Sequence, residues 1–291
     1  MLSLFDGIGC GRVALEKAGF KIKEYYASEV DKYAIKVAEE NYPDIIEIGD
    51  VTKVSYKNGV LYTEDREYNI EHIDLLIGGS PCQGFSFAGK MLNFNDPRSK
   101  LFFEYERILK EVNPTYFLLE NVTMKKEYED VISERVGVKP ILINSELTSA
   151  ATRRRLYWTN ISEVAQPDDC DIYFGDIREW NVPMSSFYYT EKAMNWIHNH
   201  EKRTGKKLRI IQDDEKMQML EATMYKKYSS QRFFGIEDTF GLRYITPLEC
   251  ERCMNLPDNY TSVCSNTQRY KQLGNGWEVG AVSHIFSFMK F

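Results

Sequence analysis

Cys82 stands in the run Gly78-Gly79-Ser80-Pro81-Cys82-Gln83-Gly84-Phe85-Ser86, directly after an apolar segment, Ile73 to Gly78, that reads as a strand. A cysteine just past the carboxyl end of a strand, on a loop freed by glycines and stiffened by one proline, is well placed to act as a nucleophile. Only the thiolate attacks, and a free thiol is mostly protonated at neutral pH, so the setting must be electropositive and partly desolvated. The alternative for a lone cysteine is a buried structural thiol, but the flanking residues favour the nucleophile.

Glu120-Asn121-Val122 ends the next expected strand, Tyr116 to Leu119. Strand ends of an open parallel sheet share one crevice, so Glu120 and Cys82 are expected to meet across it. The other reading of Glu120 is a cap on the following helix, Lys125 to Arg135. Arg153-Arg154-Arg155 opens an aromatic strand, Leu156 to Trp158, and alternation puts Arg153 and Arg155 on one face with Arg154 on the other. Such triplets are usually solvated, yet two arginines on one face can grip a carboxylate, a phosphate or a base edge.

Leu4-Phe5-Asp6-Gly7-Ile8-Gly9-Cys10-Gly11 is a strand running into a glycine-rich turn and then a helix, a form that lets backbone approach a ligand closely. A dinucleotide fingerprint needs a third glycine where Arg12 stands, so that reading fails on spacing. Glu29 ends the second strand, where an acid can hold two ribose hydroxyls, and Asp50 ends the third.

These residues need a scaffold, and the first half of the chain provides one. Short apolar strands alternate with helical patterns: Leu2 to Phe5 and Arg12 to Ala18, Tyr25 to Ser28 and Lys32 to Asn41, then Ile45 to Ile48. Ile73 to Gly78 precedes a helix from Ser99 to Val112, whose Leu101, Phe102, Tyr105, Ile108, Leu109 and Val112 form one apolar stripe. Tyr116 to Leu119 precedes the helix Lys125 to Arg135, and Pro140 to Asn144 is a further strand. This rhythm calls for an α/β fold: a Rossmann-like, mostly parallel sheet with helices on both faces. Asn58-Gly59 amid alternating residues marks a two-residue hairpin. From about Val164 to Leu242 the rhythm is lost, and helical patterns return at Pro247 to Met254 and Val279 to Phe288. The expected division is therefore 1–163 for the catalytic domain, 164–242 for a smaller recognition region and 243–291 for a return to the first domain.

The 291 residues carry 43% hydrophobic content, enough for a sizeable core, and a net charge of −6. An acidic chain does not coat nucleic acid, whose affinity comes largely from Lys and Arg on phosphates, so any such surface must be local. Met1 to Phe5 is too short for a secretory signal, and no stretch approaches the roughly 20 apolar residues of a membrane span. Six scattered cysteines fit free thiols in a reducing compartment. Cys250-x-x-Cys253 is half of a zinc pattern in a helical segment without a second pair, so no metal is expected. His198 and His200 alternate on a polar stretch and are expected to face solvent, and Phe187 to Trp196 reads as local core.

Taken in order, Phe5-Asp6-Gly7, Pro81-Cys82-Gln83, Glu120-Asn121-Val122 and Arg153-x-Arg155 resemble the motifs of the cytosine-5 DNA methyltransferase family, and the resemblance covers nearly the whole chain. Gln272-Leu273-Gly274-Asn275-Gly276 is similar to the family's last motif, with Gly276 where a serine is usual. The short variable region and Ser149-Ala150-Ala151 resemble the animal de novo methyltransferases. The resemblance implies S-adenosylmethionine as cofactor, held by Phe5, Asp6, Gly7, Ile8, Gly9, Glu29, Val30, Asp50, Val51, Gly78, Pro81, Asn275, Gly276 and Trp277. It implies attack by Cys82 on carbon 6 of a flipped-out cytosine. Glu120 would hold and protonate the ring, Arg155 would contact its carbonyl oxygen, and Arg153 would support Glu120 or the loop. The implied partner is DNA containing the target cytosine, with no membrane. Since the chain is acidic, the basic residues Lys202, Arg203, Lys206, Lys207, Arg209, Lys226, Lys227 and Arg232, with Gln231 and Ser86, are expected to contact it, a solvated charged face being the other reading. A cytoplasmic bacterial or phage enzyme is expected, or a nuclear one in a eukaryote. Methylation of RNA and a catalytically silent regulatory role are the competing readings, and the target sequence and oligomeric state stay open.

Overall fold

The computed structural model describes residues 1–80, 100–183, 187–229 and 234–290. The chain divides into two compact units. The first holds Met1–Asn144, Arg154–Gln166 and Ala281–Phe291; the second holds Ser145–Arg153 and Pro167–Gly280. Packing groups residues 243–280 with the middle region, whereas the return of the helical pattern had put a boundary at 242. The reason lies in Arg243, fully buried and bonded to both oxygens of Glu249 at 2.9 and 2.7 Å, which ties the end of the middle region to the helix that follows.

In the first unit, β1 (Leu2–Leu4) leads through α1 (Cys10–Lys17) to β2 (Tyr25–Ser28), and α2 (Lys32–Asn41) leads to β3 (Ile45–Glu47). A hairpin and its neighbour follow, β4 (Ser55–Lys57), β5 (Val60–Tyr62) and β6 (Glu67–Asn69), with Asn58 and Gly59 at φ 53° and 77° as a two-residue turn requires. Next come β7 (Leu75–Gly78), α3 (Lys100–Val112), β8 (Tyr116–Val122), α4 (Lys126–Val136), β9 (Ile141–Asn144) and β10 (Arg154–Thr159). Seven strands form one sheet in the order β3-β2-β1-β7-β8-β10-β9. The pairs among β3, β2, β1, β7 and β8 are parallel, while β10 runs antiparallel to both its neighbours. The mostly parallel expectation holds, and the antiparallel strand closes one side.

Strand β8 runs three residues past its expected end at Leu119, because β10 continues the ladder and pairs Tyr157 with Glu120 and Arg155 with Val122. Leu2, Leu4, Leu76 and Leu119 pack with Phe102, Tyr105 and Ile108 of α3 and with Trp158 of β10 in one buried cluster. The chain leaves β1 toward β2 on one side, while β7 lies against β1 on the other, with Leu4 opposite Gly78. Such a reversal opens a crevice at the carboxyl ends of the two strands.

The second unit contains α5 (Phe174–Ile177), α6 (Glu191–Thr204), and a small sheet of β11 (Arg209–Ile210), β12 (Phe234–Asp238) and β13 (Gly241–Arg243) in sequence order. Then follow α7 (Pro247–Cys253), α8 (Asn266–Asn275) and α9 (Val279–Phe286), the last with its residues from Ala281 onward in the first unit. Thr246 and Glu249 cap α7 reciprocally, with Pro247 in its first turn. The stretch bearing His198 and His200, read as alternating, is the helix α6: His198 is exposed, and His200 stacks on Trp196 with ring centroids 4.9 Å apart. Phe187 is buried while Trp196 is 37% exposed, so that aromatic stretch is core only in part. Among the described residues no helix is long and apolar enough to cross a membrane.

Candidate active site

The glycine turn after β1 is tightly curled. Phe5, Gly7 and Gly9 have φ of 58°, 64° and 77°, left-handed values that cost a side-chain-bearing residue such as Phe5 energy. Two neighbours hold it. The Asp6 amide donates to the Ser28 carbonyl at 3.1 Å, and the Gly7 amide donates to Glu29 Oε2 at 2.8 Å. Glu29 Oε1 also accepts from the amides of Val30 and Asp31 at 2.7 and 2.9 Å. The Glu29 carboxylate therefore clamps the ends of β1 and β2 together, and three of its roughly four lone-pair sites are taken, leaving one acceptor for a hydroxyl.

Beneath the turn, Asp6 Oδ1 accepts from the hydroxyls of Ser3 and Tyr25, while Oδ2 is buried with no protein partner. Burial raises the Asp6 carboxyl above its ordinary range, against the lowering pull of those two hydroxyls. Asp50 caps the turn Val51–Lys53 by accepting from the Thr52 amide at 2.9 Å. Val51 is buried in the core and Val30 is exposed. Added methyl carbon at Gly7 would meet nothing within 4 Å, so the turn faces open space. An open turn, a carboxylate with spare acceptor capacity and an unpartnered buried carboxyl oxygen fit a polar, hydroxyl-bearing cofactor such as S-adenosylmethionine.

At the end of β7, a side chain on Gly78 would come within 2.8 Å of the Tyr105 ring and 3.1 Å of the Leu4 carbonyl, so glycine is required where β7 leaves the sheet. Ser80 is buried, and Asn121 Nδ2 reaches its carbonyl at 3.3 Å and its hydroxyl at 3.4 Å. Pro81, Cys82 and Ser86 lie outside the described residues. Asn121, given no role of its own in the sequence reading, thus anchors the residue two positions before Cys82.

Glu120 and Arg155 meet as an ion pair, Nε to Oε1 at 2.8 Å, with both residues under 10% exposed. Glu120 faces Tyr157 and Arg155 faces Val122 across the ladder, so the two stand diagonally on one face, within reach of long side chains. The helix-cap reading of Glu120 does not hold: the cap position of α4 is Lys125. The arginine triplet is not a solvated run either, since Arg153 and Arg155 are buried and only Arg154 is exposed.

In the second unit, Arg153 precedes β10 and donates to the carbonyls of Leu220, Gly274 and Gly276 at 3.4, 3.2 and 2.7 Å. Arg155 supports Glu120 and Arg153 bonds the last motif, while the loop that was the other expected target of Arg153 lies outside the described residues. That motif ends α8, with Asn275 exposed and Gly276 and Trp277 half-buried. A methyl group on Gly274 would fall 2.1 Å from the Ala222 backbone nitrogen, so a glycine is required there as well. Glu278, buried and absent from the expected set, accepts from Thr148, Asn255 and the Gly280 amide at 2.7, 2.6 and 2.8 Å. Lys226 and Lys227 are exposed, with the Lys227 ammonium 4.4 Å from the centre of the Tyr244 ring. Gln231 and Arg232 lie outside the described residues. Cys250 and Cys253 are buried in α7, and burial pushes both thiols up.

The family model for C-5 cytosine-specific DNA methylases matches residues 1–134 and 143–290. The type II methyltransferase M1.ScrFI of Lactococcus lactis subsp. cremoris is 32% identical, across 98% of this chain and 76% of its own. The type II methyltransferase M.HpaII of Haemophilus parainfluenzae is 28% identical, across 97% of this chain and 86% of its own. In fold, the chain is similar to the Entamoeba histolytica methyltransferase EhMeth, with a TM-score of 0.79 at 17% identity, across 99% of this chain and 96% of that one.

Proposed function

The chain belongs to the C-5 cytosine-specific DNA methylase family, and from that premise we propose how its residues methylate carbon 5 of cytosine in DNA. The observation that carries the assignment of roles is the buried Glu120–Arg155 pair beside the residue that Asn121 anchors ahead of Cys82. S-adenosylmethionine, when bound, supplies an electrophilic methyl group; the turn Phe5 to Gly9, Glu29, Val30, Asp50 and Val51 would hold it, with Gly78, Pro81 and the segment Asn275 to Trp277.

Carbon 5 of cytosine is a weak nucleophile until a thiolate adds to the ring. The Cys82 sulfur forms a bond to carbon 6 while Glu120 delivers a proton to ring nitrogen 3, which pushes electron density to carbon 5. Arg155 holds Glu120 in place and contacts the ring carbonyl. Once carbon 5 carries the methyl group, a base removes its hydrogen as a proton, the carbon–sulfur bond breaks, the thiolate returns to Cys82, and ring nitrogen 3 gives its proton back to Glu120. Glu120 is only 9% exposed, which supports a base taken out of the stack rather than reached within the duplex. Residues 164–242, with Lys226, Lys227, Gln231 and Arg232, together with Ser86, are assigned to DNA contact.

The test is methyl transfer from labelled S-adenosylmethionine to random-sequence DNA and RNA, with Cys82→Ala as the control. Label on cytosine in DNA, lost in the variant, is expected. Label on RNA alone, or undiminished transfer by Cys82→Ala, overturns the assignment.

A further inference from the structure

Helix α6 carries a face that the methyl-transfer chemistry does not use. At about 100° per residue, Lys192, Trp196, Asn199, His200 and Arg203 fall within one arc about 100° wide. The adjoining side buries Ala193 and Ile197 against the rest of the second unit. Neither acid of the helix enters the arc. Glu191 lies beyond its edge, and Glu201, on the far side, accepts from the Leu208 amide at 2.7 Å.

Among the described residues neither Lys192 nor Arg203 makes an ion pair, and both are exposed. Trp196 and His200 stack with only 13° between their planes, and the Arg203 guanidinium lies 3.4 Å from His200 Nδ1. The arc is therefore a cationic and aromatic stripe on a protein whose net charge is −6. Lys192 and Arg203 are about 16 Å apart along the axis, enough to reach separate phosphates, with Asn199 between them.

We propose that this face of α6 docks on the DNA duplex, Lys192 and Arg203 on phosphates and Asn199 toward base edges, the groups that an amide can read in the major groove. The inference rests on the reading of DNA as substrate. The neighbouring basic residues stay outside this face: Lys202 lies about 60° beyond the arc, and Lys206 and Lys207 follow the helix. Charge complementarity selects the occupant, because an acid-free cationic stripe on an acidic protein repels a basic partner and attracts a polyanion.

The experiment measures binding of the full chain to a fluorescent duplex across a salt series, with methyl transfer at saturating DNA and S-adenosylmethionine binding as separate readouts. Lys192→Ala/Arg203→Ala should bind DNA at least tenfold more weakly at low salt and lower the slope of log affinity against log salt by about 2. Its affinity for S-adenosylmethionine should stay at the parent's value. Asn199→Ala should keep the salt slope and alter the flanking-base preference in a random-sequence library. A double variant with the parent's affinity and slope overturns the proposal while leaving DNA methylation intact. A parent chain that methylates no DNA overturns the functional reading and this inference together.

Discussion

Glu47→Gln is expected to stabilise the protein above neutral pH and to have no effect in acid. Glu47 ends β3, in register with Ala27 of β2 and through it with Ser3 of β1. Both its carboxyl oxygens are buried without a hydrogen-bond partner. Burial, then the nearby carboxylates of Asp6, Glu39 and Glu29, pushes its carboxyl from an ordinary 4.5 up to about 8. The folded state therefore keeps the proton that the unfolded chain releases. Below pH 4.5 both states are protonated and Glu47 has no pH-dependent cost. As pH rises toward 8 the unfolded chain alone ionises and stability falls; above that value the loss levels off. The full gap would be about 5 kcal/mol at about 1.4 kcal/mol per pH unit. Partial access of the side chain to water cuts it to about 1–2 kcal/mol. Glutamine keeps the shape and cannot ionise, so its melting temperature should exceed the parent's by roughly 2–6 °C at pH 9, with no difference at pH 4.5. Thermal melts at these two values decide it. An equal difference at both, or a less stable variant at pH 9, refutes the argument from a buried unpaired carboxyl.

Arg155→Ala should cost about 3–5 kcal/mol in urea unfolding, because it leaves the Glu120 charge buried and unpaired; Arg155→Ala/Glu120→Gln should lose less than the sum of the two single changes, and strict additivity would mean that the pair is not coupled. Gly274→Ala should cost about 1–3 kcal/mol, since its methyl group meets backbone rather than a movable side chain, and an unchanged denaturation midpoint would contradict the close approach. Glu29→Ala should weaken S-adenosylmethionine binding by about 1–3 kcal/mol in calorimetry, with unchanged affinity counting against the site. DNA carrying 5-fluorocytosine should trap the chain covalently, because fluorine cannot leave as a proton; a trapped peptide containing any cysteine other than Cys82 would remove the assigned nucleophile.

The α/β half of the molecule was legible because its elements repeat a strong signal. Of the expected stripe, Phe102, Tyr105, Ile108 and Val112 are buried and Leu101 and Leu109 are half-buried, and Asn58-Gly59 makes the turn its residue types demand. The second unit lacked such signals for physical reasons. Helix α6 buries only Ala193 and Ile197, too few to mark a period, and its polar face read as alternation. Helix α8 buries Tyr270, Gln272 and Leu273 and ends in Gly274-Asn275, weak helix formers. Strand β11 has two residues and β13 three, below the length at which alternation can be read. The motif residues were found by type and order, but their partners were not. Glu29 looked like a ligand group alone and proves to be a clamp on two strand ends. The two sequence relatives described above are bacterial, whereas the likeness of the short middle region had pointed toward animal enzymes.

The antiparallel strand explains why the Glu120–Arg155 pair can exist. In β8 and β10 the residues directly opposite are Glu120 with Tyr157 and Arg155 with Val122. Side chains two positions apart point to the same face, so the diagonal from Glu120 to Arg155 stays on one side of the sheet. A register slip of one residue would send Arg155 to the other face and bury its charge against core. The register is held elsewhere along the ladder: Trp158 packs in the core opposite Leu119 while its indole donates to Ser133 Oγ at 2.9 Å, and the Thr159 hydroxyl donates to the Phe117 carbonyl at 2.6 Å. The aromatic residues that identified the strand in the sequence therefore also set the register that brings a buried arginine to a buried glutamate, next to the asparagine that anchors the residue leading to Cys82.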